Sequence, residues 1–483
     1  MAGLLVSAAH QSSGKTTVSL GLCAALTAQG TVVAPFKKGP DYIDPMWLAL
    51  AAGRPCVNLD PWLQDDAALT ACYAQHQQGA DLALVEGNKG LYDGLALDGS
   101  NSNAALATRL GLPVLLVLDA RGMTRGIAPL ILGYQAFDKS IRIGGVILNR
   151  VGGSRHEGKL RAVIEHYTDV PVLGAVAEDP RLAVLERHLG LMPCNELADA
   201  RDRVADIGRV VTQQVDLAAV RALAGTAAAV PALAAPIGSS PTTQNGERTR
   251  LRIGIARDRA FGFYYPDDLA ALQAAGAELV PIDTLHDTRL PPLDGLFVGG
   301  GFPEACLDAL QANAALRHAL RAAVQGGLPT YAECGGLMLM ARSITWQGRT
   351  APMVGAIDGD AVMHPRPVGR GYVQLRATAA HPWLPAGSTV RGHEFHHASL
   401  DNLPADTPMA YQVQRGHGVS GSHDGVCVHR MLASFAHLRT GAGSAWAPAF
   451  VAYVRRVKAE QSTSAVAALT RPDAAGAALA CSL

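Results

Sequence analysis

Short runs of branched and apolar residues recur through the first half of the chain, separated by stretches of helical periodicity: Val32 to Phe36, Leu82 to Val85, Val114 to Leu118, Val146 to Leu148 and Val172 to Val176. Runs of this kind are buried on both faces, so the rhythm predicts a mostly parallel sheet with helices on either side. The opening Met1 to Val6 lacks a basic n-region and leads straight into polar His10-Gln11-Ser12-Ser13, which reads as a first strand and not as a signal peptide. Between about Ala222 and Arg248 the pattern collapses into Ala, Pro, Ser, Thr and Gly, the composition of a linker. The alternation restarts at Ile253-Gly254-Ile255 and continues through Leu279-Val280, Leu296 to Val298 and Thr330 to Ala332. The expected organisation is an α/β domain over 1–221, a linker over 222–250, a second α/β domain over 251–445, and a C-terminal helix with a low-complexity tail over 446–483.

Composition narrows the partners. A chain of 483 residues exceeds one hydrophobic core, in keeping with two domains. Lys plus Arg and Asp plus Glu number 41 each, which argues against a general polyanion binder and so against nucleic acid. The eight cysteines are scattered without a CxxC pair, as expected in a reducing cytoplasm. The most apolar run, Leu112 to Leu118, stops at Asp119, so no membrane span is expected.

Candidate chemistry lies where strands end. Ser12-Ser13-Gly14-Lys15-Thr16-Thr17 follows the first strand and opens a helix with Val18, Leu22, Ala25 and Leu26 on one face. This is the setting of a P-loop, in which backbone N–H groups cradle phosphates, Lys15 reaches the terminal ones and the Thr16 hydroxyl meets Mg²⁺. A strict pattern has Gly five residues before Gly14, where this chain has Ala9. Lys37-Lys38-Gly39-Pro40-Asp41 and Glu86-Gly87-Asn88-Lys89-Gly90 follow two further strands, and Asp41 with Glu86 would supply a hard cation with oxygen ligands.

In the second half, Thr330-Tyr331-Ala332-Glu333-Cys334-Gly335-Gly336-Leu337 runs strand, cysteine, glycines, helix. That is a nucleophile elbow, where a sharp turn exposes the sulfur and a helix N-terminus favours its thiolate. Thioester chemistry also needs oxyanion donors, for which Gly300 and Gly301 of the Gly299-Gly300-Gly301-Phe302 run and the N–H of Gly335 are candidates, and a base, for which His437 is chosen.

Together these segments resemble the cobyrinic acid a,c-diamide synthase family, from about residue 3 to about residue 445. The carriers are SSGKTT at Ser12, KKGPDYIDP at Lys37, EGNKGLYDG at Glu86, GGVILNR at Gly144, ERHLGL at Glu186, ARDRAFGFYYPD at Ala256, GGGFPE at Gly299, AECGGLM at Ala332 and GHEFHHAS at Gly392. The resemblance implies a dethiobiotin-synthetase-like, doubly wound P-loop domain joined to a class I glutamine amidotransferase domain of the triad type. It implies Cys334 as nucleophile and His437 as its base, and Ser12, Ser13, Gly14, Lys15, Thr16, Thr17 and Asn149 around ATP, Asn149 reading adenine. Mg²⁺ would be held by Thr16, Asp41 and Glu86, and Lys15 and Lys37 would neutralise the transferred phosphoryl group. Many class I amidotransferases carry Glu two residues after the histidine; here that residue is Arg439, so a Cys–His pair without a third carboxylate is expected. The implied reaction is amidation of an acidic tetrapyrrole through an acyl phosphate, with ammonia drawn from glutamine. A homodimer is the expected assembly.

Three alternatives stand beside this. Cobyric acid synthases share both domains, but the KKGPDYIDP run matches the a,c-diamide group. P-loop partitioning switches need neither Cys334 nor a triple-glycine loop. The third concerns substrate: corrin-directed relatives carry Val-Met where this chain has Asn88-Lys89, and Lys89 would pair with an additional carboxylate of a sirohaem-level ring. Arg366 and Arg370 support the same reading, and Asp44, Tyr92 and Asp93 are placed with Lys89 on the substrate side.

Overall fold

The computed structural model describes residues 2–182, 186–187, 190–228, 250–441 and 444–469. The chain divides into two compact units. The first is built on a seven-stranded sheet of β1 (Ala2–Ala8), β2 (Val33–Lys38), β3 (Val57–Leu59), β4 (Leu82–Glu86), β5 (Val114–Asp119), β6 (Ile143–Val151) and β7 (Val172–Ala177). Their order is β3-β2-β4-β1-β5-β6-β7, with every pairing parallel. Successive side chains alternate faces, so Leu4 and Val6 join one core with Leu22, Leu26, Ile207 and Val211, while Leu5 joins another with Leu106, Leu110, Ile131 and Ile164. The path turns at β1, leading one way to β2 and the other to β5, and such a switch point leaves a crevice at the strands' carboxyl ends.

All five expected apolar strands of this unit are present, with shifted ends. β2 runs on through Lys37 and Lys38, which therefore belong to the strand and not to the loop after it. β3 is an addition, too short to stand out as a run. The helix Leu217–Ala224 crosses the expected boundary at 221. Its alanines read as linker composition, yet alanine is the best helix former, and Leu217, Val220, Leu223 and Ala224 give the segment a buried stripe. Residues 229–249 of the expected linker and the expected tail from 470 lie outside the described residues.

The second unit has a ten-stranded mixed sheet. Its parallel half places Ala277–Ile282, Leu251–Ala256, Gly295–Val298, Thr330–Glu333 and Met431–Ser434 side by side in that order. An antiparallel half continues through His423–Val428, Met409–Arg415, Gly369–Ala377, Thr389–His396 and His437–Leu438. Among the described residues no helix is long and apolar enough to cross a membrane, and none of the seven described cysteines forms a disulfide.

Candidate active site

In the first unit, β1 ends in the glycine-containing turn that opens the helix Lys15–Ala28. Gly14 lies at φ +89°, and a Cβ there would meet the Asn149 amide nitrogen at 2.0 Å. Only glycine lets Asn149 cross to the turn, where it donates to the Ser13 carbonyl at 2.9 Å. Asn149, expected at the adenine, thus braces the phosphate loop through its amide nitrogen. Arg150 does similar work, donating to the Ser12 carbonyl at 2.9 Å and to Asp119 at 2.8 Å. At Ala9, where a strict pattern has glycine, the carbonyl accepts from the Tyr134 hydroxyl at 2.6 Å.

Lys15 is buried, and burial followed by the neighbouring Lys37 lowers its pKa. Lys37 is ion-paired to Asp44, to Glu86 at 2.9 Å and to Asp41 at 3.7 Å. Burial opposes its charge, but Asp44, Glu86 and Asp41 hold its pKa well above the ordinary lysine range. The Thr16 hydroxyl faces Glu86 at 2.8 Å and Asp44 at 3.3 Å. Asp41, the expected partner of Thr16, instead caps a helix start: its Oδ1 accepts from the Ile43 and Asp44 N–H groups at 2.9 and 3.2 Å. Asp44, expected on the substrate side, stands in its place. Burial raises the pKa of Glu86, whereas at Asp44 Lys37 outweighs burial and keeps the carboxylate ionised.

The loop after β4 is pinned by Asn103, fully buried, which donates to the Asn88 and Gly90 carbonyls and to Ser7, and accepts from the Asn88 N–H. Asp93 accepts from the Gly90 N–H at 2.8 Å and Tyr92 donates to the Tyr134 carbonyl at 2.5 Å, so both expected substrate residues are engaged in shaping this region. Lys89 is exposed at φ +42°. Lys38 beneath it donates to Asn88 at 3.1 Å and to the Asn101 carbonyl at 2.5 Å, and burial pulls its pKa down to about 8.

In the second unit three neighbouring parallel strands end together, bringing the Gly299–Gly301 loop, Cys334 and the segment before His437 to one edge. Cys334 adopts φ 49°, ψ −102°, a conformation that L-residues rarely hold. Its N–H donates to the Ser434 carbonyl at 2.8 Å, and its own carbonyl accepts from Met338 at 3.1 Å. A Cβ on Gly335 would lie 3.0 Å from the Gly301 nitrogen, so the two candidate oxyanion backbones approach this closely only because residue 335 has no side chain. Asp424, fully buried, accepts from Ser434, Phe435 and Ala436 and sets the turn into His437.

His437 is 3% exposed and stacks on His393 at 4.9 Å between centroids. Its Nδ1 lies 3.5 Å from Oε2 of Glu333. Burial disfavours the imidazolium, but contacts with Cys334 and Glu333 push its pKa up to about 10. A Cys–His pair without a third carboxylate was expected; a carboxylate does lie beside this histidine, on the residue before the cysteine and not two residues after the histidine.

Residues 6–191 match the CobQ/CobB/MinD/ParA nucleotide binding domain, and residues 252–444 the CobB/CobQ-like glutamine amidotransferase domain. A cobyrinate a,c-diamide synthase of Magnetococcus marinus is 45% identical over 447 residues, 92% of this chain and 95% of that protein. Those of Methanosarcina acetivorans and a Synechocystis strain are 40% and 38% identical over 90% and 91% of this chain and 92% and 90% of theirs. The chain belongs to the cobyrinate a,c-diamide synthase family. It is a glutamine-dependent, amide-forming ligase. In this member of the cobyrinate a,c-diamide synthase family, the sequence reading missed Asp44 as a neighbour of Thr16, and Glu333, Asn103 and Asp424 altogether. Glu333 adjoins the nucleophile in sequence, which was its available signal; Asn103 and Asp424 have none, since only the fold brings them to their loops.

Proposed function

We propose that this enzyme amidates the a and c acetate carboxylates of a cobyrinic-acid-type tetrapyrrole in cobalamin biosynthesis, using ATP and glutamine in the cytoplasm. The observation that carries the reading is the likeness to cobyrinate a,c-diamide synthases over nine-tenths of the chain, with a phosphate loop in one unit and a strained cysteine beside a histidine in the other. At the second unit, the Cys334 sulfur attacks the glutamine side-chain carbonyl, and the Gly301 and Gly335 N–H groups, with Gly300, receive the oxyanion. His437 hands a proton to the departing ammonia and then draws one from the water that hydrolyses the thioester. At the first unit the γ-phosphoryl group passes to a substrate carboxylate, since a free carboxylate is a very poor electrophile. Ammonia then displaces phosphate to give the amide. Lys15 and Lys37 neutralise charge on the phosphoryl group.

Mg²⁺ fits the first site. Thr16, Asp44 and Glu86 are hard oxygen donors, and Glu86 Oε2 is buried without a hydrogen-bond partner. These residues with nucleotide phosphates would hold the ion, which supplies charge stabilisation on the phosphates. Among the described residues no three His, Cys, Asp or Glu side chains form a cage by themselves, and nucleotide phosphate oxygens would complete the set. Asp44→Asn should raise the Mg²⁺ concentration for half-maximal nucleotide binding by roughly 10- to 100-fold in calorimetric titrations. Asp41→Asn, whose amide oxygen can keep the helix cap, should change it less than about twofold.

A second substrate is favoured by one observation, the exposed Lys89 on the loop that follows Glu86. A sirohaem-level ring carries eight carboxylates and would give Lys89 a partner; a charge-assisted hydrogen bond contributes about 1.5–3 kcal/mol. Cobyrinic acid and sirohaem should be offered separately with ATP, Mg²⁺ and glutamine, to the wild type and to Lys89→Met. Amidation of sirohaem with a KM raised about tenfold or more by the substitution supports this second reading. Amidation of the corrinoid alone, with KM unmoved, removes it.

A further inference from the structure

Glutamine hydrolysis by a Cys–His pair depends on how the imidazole is held, because Nε2 can serve the sulfur only if the ring is fixed and Nδ1 carries the proton. Position 439, two residues after the histidine, holds a buried arginine, so the orienting group must come from elsewhere. Glu333 is 2% exposed, with Oε2 at 3.5 Å from His437 Nδ1. Its other oxygen accepts from the Tyr331 hydroxyl at 2.7 Å and from the Leu438 N–H at 3.0 Å. The carboxylate is thus clamped to the strand that carries the nucleophile and to the residue that follows the histidine. Burying a carboxylate is costly unless it is paired, so its place here rests on these hydrogen bonds and on the imidazole it faces.

We infer that Glu333 is the positioning residue of His437, fixing the Nδ1–H tautomer and stabilising the imidazolium while Nε2 works on Cys334. The inference rests on the reading of Cys334 and His437 as the glutamine-hydrolysing pair. The groups facing His437 are Cys334 and Glu333 from the nucleophile strand and its turn, and His393 from Thr389–His396. Burial, then His437 and Arg439, keeps His393 neutral. Tyr331 and Tyr411, which sense Glu333, are also held neutral by burial. Glu333 therefore supports the imidazolium alongside Cys334, from the side of the ring held at Nδ1, and losing it lowers the pH at which the imidazolium is lost.

The test is Glu333→Gln, whose amide oxygen can still accept from Tyr331 and Leu438 while its amide nitrogen opposes Nδ1–H. The kcat for glutamine hydrolysis should fall about 10²- to 10⁴-fold, with KM within a few-fold, and the alkaline limb of kcat/KM against pH should move to lower pH. Amidation with ammonium salt, which bypasses the glutamine site, should change less than about twofold, and Glu333→Asp should recover part of the loss. An unmoved alkaline limb, or equal loss with both nitrogen sources, overturns the inference. Should Glu333→Gln fail to fold, Tyr331→Phe decides: loosening the clamp shifts the limb in the same direction, and no shift overturns the inference. Glutamine hydrolysis that survives in Cys334→Ser would instead remove the underlying pair.

Discussion

Lys15→Ala is expected to remove amidation with glutamine and with ammonium salt alike, by about two to three orders of magnitude. The phosphate loop offers neutral N–H groups, and Asn149, Arg150 and Ser13 only fix its shape. The cations inside the site are Lys15 and Lys37, and Lys37 is drawn into the Asp44, Asp41 and Glu86 cluster. Lys37 therefore acts on the phosphates against that pull, and Lys15 carries the larger share of their charge. Its pKa is already lowered by burial and by Lys37, so removing it relieves a strained charge and should leave the fold intact. Measured with cobyrinic acid, ATP and either nitrogen source, retention of the ammonium-dependent rate would exclude the P-loop reading.

Cys334→Ser should give the opposite pattern. Activity with glutamine should drop on the order of 10⁵-fold or more, the scale seen when the nucleophile of a cooperating set is lost, while activity with ammonium salt persists. Serine is nearly the volume of cysteine and the residue is 8% exposed, so packing should scarcely change. His437→Ala should follow the same pattern. A variant that loses both activities while remaining folded would show that the thiol serves something other than ammonia release.

The parallel strands were legible because both of their faces are covered, which writes them as unbroken apolar runs such as Leu82 to Val85. The antiparallel half of the second sheet was not: Gly369–Ala377 reads Gly-Arg-Gly-Tyr-Val-Gln-Leu-Arg-Ala, with Val373 and Leu375 inside and polar neighbours between them. Cys334, Lys15 and Thr16 announced themselves through the turns and helix starts that flank them. Asp41 and Asp44 could not be separated by sequence, because the difference lies in which of them the helix Ile43–Ala52 consumes as a cap. Glu333 was passed over for a related reason. Sequence proximity to His437 points forward to Arg439, whereas the parallel pairing of Thr330–Glu333 with Met431–Ser434 brings a carboxylate from the neighbouring strand.

The backbone at Cys334 sits where L-residues pay about 1–3 kcal/mol. A glycine would hold the same turn without that cost, so at this position thermal robustness and turnover pull in opposite directions. Selection for heat resistance alone, with ammonia supplied, would favour glycine at 334 and leave behind a sturdier protein that no longer touches glutamine.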